Sequence, residues 1–403
     1  MSSIDLEPGQ VTAVRTTGIY CRAGCPARPN LGNVGIYPSP VAAEAAGFRP
    51  CLRCRSDELP ESPISGDAPL VVARALVLIG DGFLDRDDER GLGRQVGVSA
   101  RQLRRLFATH VGATPSQVAR SRRAHFARRL LDDSDLSIGA IAFMSGFGSI
   151  RTMNHVMKQT FRFTPRELRA RRSSHRYSPV DGGLQLRITA AEPLAFEALM
   201  AQLSCQLVPL VEAVDGSVYR RTTTVCGHPG MIEVRSGGER QLHLTAHLPA
   251  LTGVIDEVAR CRRRFGVDRI RSRPGAAAVP PSPGPWDQYE AAICTLVTSM
   301  SPRARVATLS LLVTALGEPV PGISDFGLER LFPTPAAVSG ADLVGIGLEP
   351  RLAHAVAAFT EAYLDGKVTL YEAASQAELC EKLEEVAALP VDTAAALLTA
   401  VYH

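Results

Sequence analysis

Four cysteines near the start of the chain stand in two close pairs, Cys21 and Cys25 with three residues between them, and Cys51 and Cys54 with two, the pairs being 25 residues apart. Two thiolate pairs brought together by a loop fit tetrahedral zinc, because each pair spans one edge of the tetrahedron. The spacing therefore predicts one Zn2+ held by Cys21, Cys25, Cys51 and Cys54. A closed four-thiolate site of this kind usually does no more than hold a small module together. Five further cysteines, Cys205, Cys226, Cys261, Cys294 and Cys380, lie far apart and read as small apolar residues.

A second group of candidates is basic. Net charge over the 403 residues is only +3, but Arg74 to Arg176 carries 20 Lys and Arg against 9 Asp and Glu. Such a segment suits a polyanion, and the remaining residues do not. Within it, GLGRQVGVSARQLRRLFATHVGATP and LSIGAIAFMSGFGSIRTMNHVMKQTFRFTP each contain a short apolar helix, a glycine turn, a serine cap and a second helix ending near Thr-Pro. Ser99 should cap a helix with Leu103, Leu106 and Phe107 inward, leaving Arg101, Arg104 and Arg105 outward. Ser149 should cap the second, with Arg151, Asn154 and His155 outward. These six could read bases in a major groove or make only phosphate contacts.

Stepping along the chain, Pro60 to Asp67, Ser173 to Pro179 and Arg273 to Pro285 read as linkers, rich in Pro, Gly and Ser. They leave four domains: 1–60, with the cysteines; 68–176, helical; 180–272, α+β, with strands in LQLRITA and SVYRRTTTV and helices at Pro193 to Leu203 and Val254 to Phe265; and 285–403, helical and broken at Gly317, Pro333, Pro335 and Gly366. The fold class is multidomain, mainly α with α+β parts. No stretch is long and apolar enough to span a membrane, and MSSIDLEPGQ lacks the features of an export signal. The odd cysteine count argues against a disulfide framework, and the expected compartment is the cytoplasm.

The strings TTGIYCRAGCPAR and AAEAAGFRPCLRCR resemble the methylphosphotriester-repair domain of the Ada adaptive-response family. That resemblance implies that Cys21 is nucleophile as well as ligand, accepting a methyl group irreversibly from an alkylated DNA phosphate, with Thr17, Arg28, Arg49 and Arg53 near that phosphate. Members of the family usually carry a helix and a strand ahead of this string, and only 15 residues precede it here; the expectation is either a trimmed start or a module short of part of its support. The duplicated helical unit resembles the AraC family, which implies double-stranded DNA as partner, with RNA polymerase as a further one and no membrane.

Gly183 to Asp268 and the segment from Trp286 resemble AlkA-type 3-methyladenine DNA glycosylases, the latter through FPTPAAVSGADL. Such glycosylases use a Leu-Pro-Gly-x-Gly hairpin and a later aspartate. Here Leu389-Pro390 runs into Val391-Asp392-Thr393, so glycosylase activity is not expected, and neither Asp342 nor Asp392 is expected to replace the acid. Trp286 is expected to pack a linker. No Pro-Cys-His-Arg string of an O6-methylguanine acceptor is present. Three readings follow in order: a methylation-responsive regulator acting through Cys21, an AraC-type regulator with a structural zinc, and a glycosylase with a regulatory front end.

Overall fold

The computed structural model describes residues 6, 9–27, 30–54, 56, 69–171, 183–268, 283–297 and 300–365. Its N-terminal module is a four-stranded sheet of β1 (Val11–Val14), β2 (Ile19–Cys21), β3 (Val34–Tyr37) and β4 (Arg49–Pro50), in the order β3-β1-β2-β4. The strand upstream of the TTGIYC string is thus present and central, pairing antiparallel with both β2 and β3, so that part of the expected support is in place. Helix α1 (Pro40–Ala45) starts where Ser39 accepts from the Ala42 amide and Pro40 supplies a fixed φ at the first position. Val11, Ala13, Tyr20 and Ala43 form the small core between sheet and helix.

The helical domain runs α2 (Leu70–Gly80), α3 (Phe83–Arg86), α4 (Glu89–Gln95), α5 (Ala100–His110), α6 (Pro115–Asp133), α7 (Ile138–Met144), α8 (Ile150–Phe161) and α9 (Pro165–Ala170). Two helix-turn-helix pairs, α4–α5 and α7–α8, lie on either side of the long α6. Gly97 and Gly146 take positive φ at equivalent turns, +74° and +75°, where a side chain would be strained. Ser99 and Ser149 cap α5 and α8 through the Gln102 and Thr152 amides. The two Thr-Pro pairs begin helices rather than end them. Thr114 and Thr164 form capping boxes with Gln117 and Glu167, and Pro115 and Pro165 open α6 and α9.

Downstream, β5 (Leu184–Thr189), β6 (Glu212–Asp215), β7 (Val218–Val225), β8 (His228–Gly238) and β9 (Gln241–His247) make an antiparallel sheet, β5-β9-β8-β7-β6, with α10 (Phe196–Ser204) and α11 (Val254–Arg264). Its core is continuous with that of the second helical repeat: Leu130, Ile141, Met157 and Leu168 share one apolar cluster with Leu186, Leu199 and Phe265. Ion pairs pin the same junction, Arg122 to Asp256 at 2.7 Å and Arg263 to Asp81 at 2.8 Å.

The last described elements, α12 (Gln288–Leu296), α13 (Pro302–Leu316), α14 (Pro335–Val338) and α15 (Pro350–Leu364), have a core of their own around Ile293, Leu312, Val356 and Phe359. Gly317 ends α13, but Pro335 opens α14 instead of breaking a helix. Buried Arg221 ties this domain to the sheet, bonding Glu212 at 2.7 Å and Glu290 of α12, with the Trp286 ring 4.8 Å from its guanidinium carbon. Trp286 thus packs the approach to α12 against the sheet.

Candidate metal centre and nucleic-acid interface

Cys21 ends β2, Cys25 sits in the turn that follows, Cys51 follows β4, and Cys54 closes the next turn. Because β2 and β4 pair in parallel, the two turns lie side by side at one end of the sheet. The Cys51 amide donates to the Tyr20 carbonyl at 2.9 Å and lies 3.0 Å from Ser56 Oγ, which fixes the second pair against the first. All four Sγ atoms fall within 4.8 Å of one another. A regular tetrahedron with arms of about 2.3 Å has edges of about 3.8 Å, so the set fits one Zn2+.

Charge on the sulfurs supports the same fit. Hydrogen bonding from Cys21 is the largest influence bringing Cys54 down to about 5, helped by the Arg22 amide. Cys21 is driven far up, first by giving that hydrogen bond to Cys54 and then by burial. As bare thiols, the four compete for protons because adjacent thiolates repel; a divalent cation at their centre removes the conflict. Cys21, Cys51 and Cys54 are buried, and Cys25 is half-buried.

Of the four residues placed near the phosphate, Thr17 is exposed in the β1–β2 turn and Arg53 is exposed between Cys51 and Cys54. Arg49 is half-buried on β4, its amide donating to the Gly18 carbonyl at 2.8 Å, so it stands beside the turn that carries Thr17. Arg28 lies outside the described residues, as do Asp392, Cys380 and the Leu389-Pro390 string. Of the cysteines read as small apolar residues, Cys261 is buried and Cys294 half-buried, whereas Cys205 and Cys226 are exposed, with Cys226 Sγ 3.3 Å from the Thr252 carbonyl. Asp342 accepts from the Gly345 amide at 2.8 Å and serves its own turn.

On the helical repeats, Leu103 and Phe107 are fully buried while Arg101, Arg104 and Arg105 are exposed. Met153 and Val156 are buried between Arg151, half-buried Asn154 and exposed His155. Arg104 and His155 line one cleft of about 1020 Å³ between α5 and α8, with Arg90, Arg120 and Thr152 also in its wall.

Not all of the basic excess faces outward, however. Arg74, Arg122 and Arg128 are buried, and Arg122, Arg123 and Arg128 pair with Asp256, Asp85 and Asp132. Arg122 thereby joins the helical domain to the sheet domain, while Arg123 and Arg128 pair inside the helical domain, since burying a charge demands a partner.

Sequence reasoning missed how the metal module meets the helices. Glu44 of α1 accepts from Tyr20 Oη at 2.8 Å and lies 2.5 Å from His125 Nε2 on α6. Burial pushes the Glu44 carboxyl up, but His125, Ser121 and Tyr20 together bring it below its ordinary value. Ser39 Oγ donates to the Val111 carbonyl at 3.2 Å, and Arg162 reaches the Gly47 carbonyl at 3.2 Å. One signal was available: Glu44 is a lone acid in the apolar run VAAEAA.

Residues 8–57 match the family described as the metal binding domain of Ada, 92–171 a helix-turn-helix domain, and 185–271 the AlkA N-terminal domain. Over 328 residues the chain is 36% identical to the probable bifunctional transcriptional activator/DNA repair enzyme AlkA of Mycobacterium tuberculosis, covering 77% of this chain and 66% of that relative. It is 32% identical over 160 residues to the bifunctional transcriptional activator/DNA repair enzyme Ada of Escherichia coli, covering 40% and 44%. The chain thus spans just under two thirds of the first relative and under half of the second. A 3-methyladenine DNA-glycosylase from Archaeoglobus fulgidus aligns at 16% identity and TM-score 0.43, over 54% of this chain and 79% of that one.

Proposed function

This chain is built as an Ada-type regulator fused to an AlkA-like region, and we propose on that premise that it is a DNA-binding regulator of the alkylation response that takes a methyl group from DNA methylphosphotriesters onto Cys21. The observation that carries the reading is the convergence of Cys21 with three other thiols in a module fastened to the helix-turn-helix domain. Bound Zn2+ keeps its cysteine ligands deprotonated at neutral pH.

Cys21 Sγ attacks the methyl carbon of the triester. A sulfur–carbon bond forms, the carbon–oxygen bond breaks, and the electron pair leaves with the phosphate oxygen. The products are a thioether and an ordinary anionic phosphodiester, and no proton moves. Arg53 lies on the turn between Cys51 and Cys54, Thr17 in the turn just ahead of β2 and Arg49 on β4, from where they would orient the phosphate. The sulfur loses one negative charge, so repulsion between the module and the DNA backbone falls and affinity rises. The outward faces of α5 and α8 then hold the duplex, with α6 setting their separation.

Burial of Cys21, 7% exposed, favours a second reading in which the four-thiolate site is structural and the chain is a plain AraC-type DNA binder. The deciding experiment incubates the zinc-loaded chain with duplex carrying a methylphosphotriester. Mass spectrometry should find one added methyl on the Cys21 peptide, and gel shift should find tighter binding afterwards. An unmodified Cys21 peptide, with zinc still bound, leaves the structural reading alone.

A further inference from the structure

The side chains of Arg101, Arg105 and Arg151 make no hydrogen bond or ion pair with other described residues, but Arg104 is held. Its Nε donates to Oε2 of Glu89. Oε1 of the same carboxylate accepts from the Ser116 amide at 3.1 Å and from Ser116 Oγ at 2.5 Å. Glu89 is itself fixed, since it opens α4 just after the Asp88 cap and its side chain is 9% exposed. Ser116 stands in the first turn of α6, whose amides favour an anion. Three helices, α4, α5 and α6, therefore meet on one buried carboxylate, and the exposed arginine is its outward end.

We propose that Glu89 is a positioning residue for sequence recognition, orienting Arg104 so that it reads a base pair while the other arginines on the recognition helices contact phosphate or adapt. This rests on the operator-binding reading above. The physical argument concerns which guanidinium edge is left. Nε is engaged on the protein side, and the two terminal nitrogens have no partner among the described residues. Those two N–H groups can bond O6 and N7 of one guanine in parallel. A freely rotating arginine must be ordered on binding, whereas this one is ordered beforehand, so less affinity is lost in placing it. Phosphate contact needs no such aim, because phosphate oxygens accept from many directions and carry no sequence information.

The test selects binding sites for the full zinc-loaded chain from random duplexes and compares base preferences among variants. Arg104→Ala should flatten the preference at one position by about tenfold. Glu89→Gln, which keeps size but weakens the acceptor, should flatten that same position, leave the others, and leave the dependence of affinity on salt unchanged. Ser116→Ala, which keeps the amide donor and should leave the fold intact, is expected to flatten it to a smaller degree. Thermal unfolding of each variant shows whether fold loss is responsible.

The proposal is overturned if Arg104→Ala weakens all sequences evenly and lowers the salt slope by about one, the mark of a phosphate contact. It is equally overturned if Arg104→Ala flattens a position that stable Glu89→Gln and Ser116→Ala proteins read normally. Should the unaltered chain enrich no sequence at all, the operator-binding reading fails first and this inference with it.

Discussion

Glu44 is the acceptor on which the metal module and the long helix meet, and its removal should loosen that junction by a predictable amount. Glu44→Ala deletes hydrogen bonds with Tyr20 Oη and His125 Nε2 at a junction where Tyr20 is fully buried and His125 is 3% exposed. A hydrogen bond to a charged group contributes about 1.5–3 kcal/mol, so the pair together contributes about 3 kcal/mol or somewhat more. Glu44→Gln keeps an acceptor for Tyr20 and should cost about 1 kcal/mol. These costs fall on undocking rather than on global unfolding, because the module's apolar contact with the first repeat's core is made through Val41, and the second repeat's core is shared with the sheet domain.

Amide hydrogen exchange in the zinc-loaded chain measures that opening directly. The reporters are Ala42, Ala43 and Ala46 of α1, all hydrogen-bonded within the helix or its cap. In Glu44→Ala their protection should drop roughly a hundredfold, and in Glu44→Gln about fivefold. Amides of α8 should change little. A drop below about threefold in Glu44→Ala would refute the argument, showing that Ser39, Arg162 and the apolar contact alone hold the module. The pH dependence has a definite sign. Glu44 has its pKa lowered in the folded state, so its contribution is complete above the unfolded value of about 4.5 and fades as pH falls through the lower folded value.

Other consequences follow from the same structure. Chelation of zinc should unfold the module around the four cysteines while the helical repeats persist; far-ultraviolet dichroism with thiol titration should show four newly reactive cysteines and little loss of helix. Gly112→Ala should destabilise by about 1–3 kcal/mol, measured by thermal unfolding, because the new methyl would lie 2.7 Å from Ala42 Cβ at a residue of φ +75°. Arg221→Met should cost about 3–5 kcal/mol, read by urea titration, since it leaves Glu212 and Glu290 without their shared cation. Burial pushes both carboxylates up, with opposite net results: for Glu212 the cations Arg264 and Arg221 override it and hold the group at about 2, whereas Glu290 stays raised, facing Arg221 beside the negative Glu212. Stability from Glu212 therefore fades as pH drops from about 4.5 toward 2, and its acid transition should vanish in Glu212→Gln.

Local signals carried much of this architecture. Serine and threonine caps act within three residues, glycine turns depend on one φ, and cysteine spacing limits how a loop closes; these made the two repeats and the four-thiolate set legible from residue order. Even so, the Thr-Pro pairs were legible only as boundaries, and the structure showed which side of the boundary they serve. Hydrophobic pattern also gave the inward faces of α5 and α8, because burial follows a period of 3.6.

What the sequence left open were pairings between residues far apart along the chain. Glu44 and His125 are 81 positions apart, Arg122 and Asp256 are 134 apart, and Arg221 and Glu290 are 69 apart. No periodicity encodes such partners, because a carboxylate and a cation look solvated until packing excludes water from both. For the same reason the net charge of the helical block overstated its outward basic surface, with Arg122 and Arg128 turned inward. Residue order alone decided that the chain can gather four thiolates and repeat a helix-turn-helix. Packing of one domain on another decided which charges are left to meet DNA.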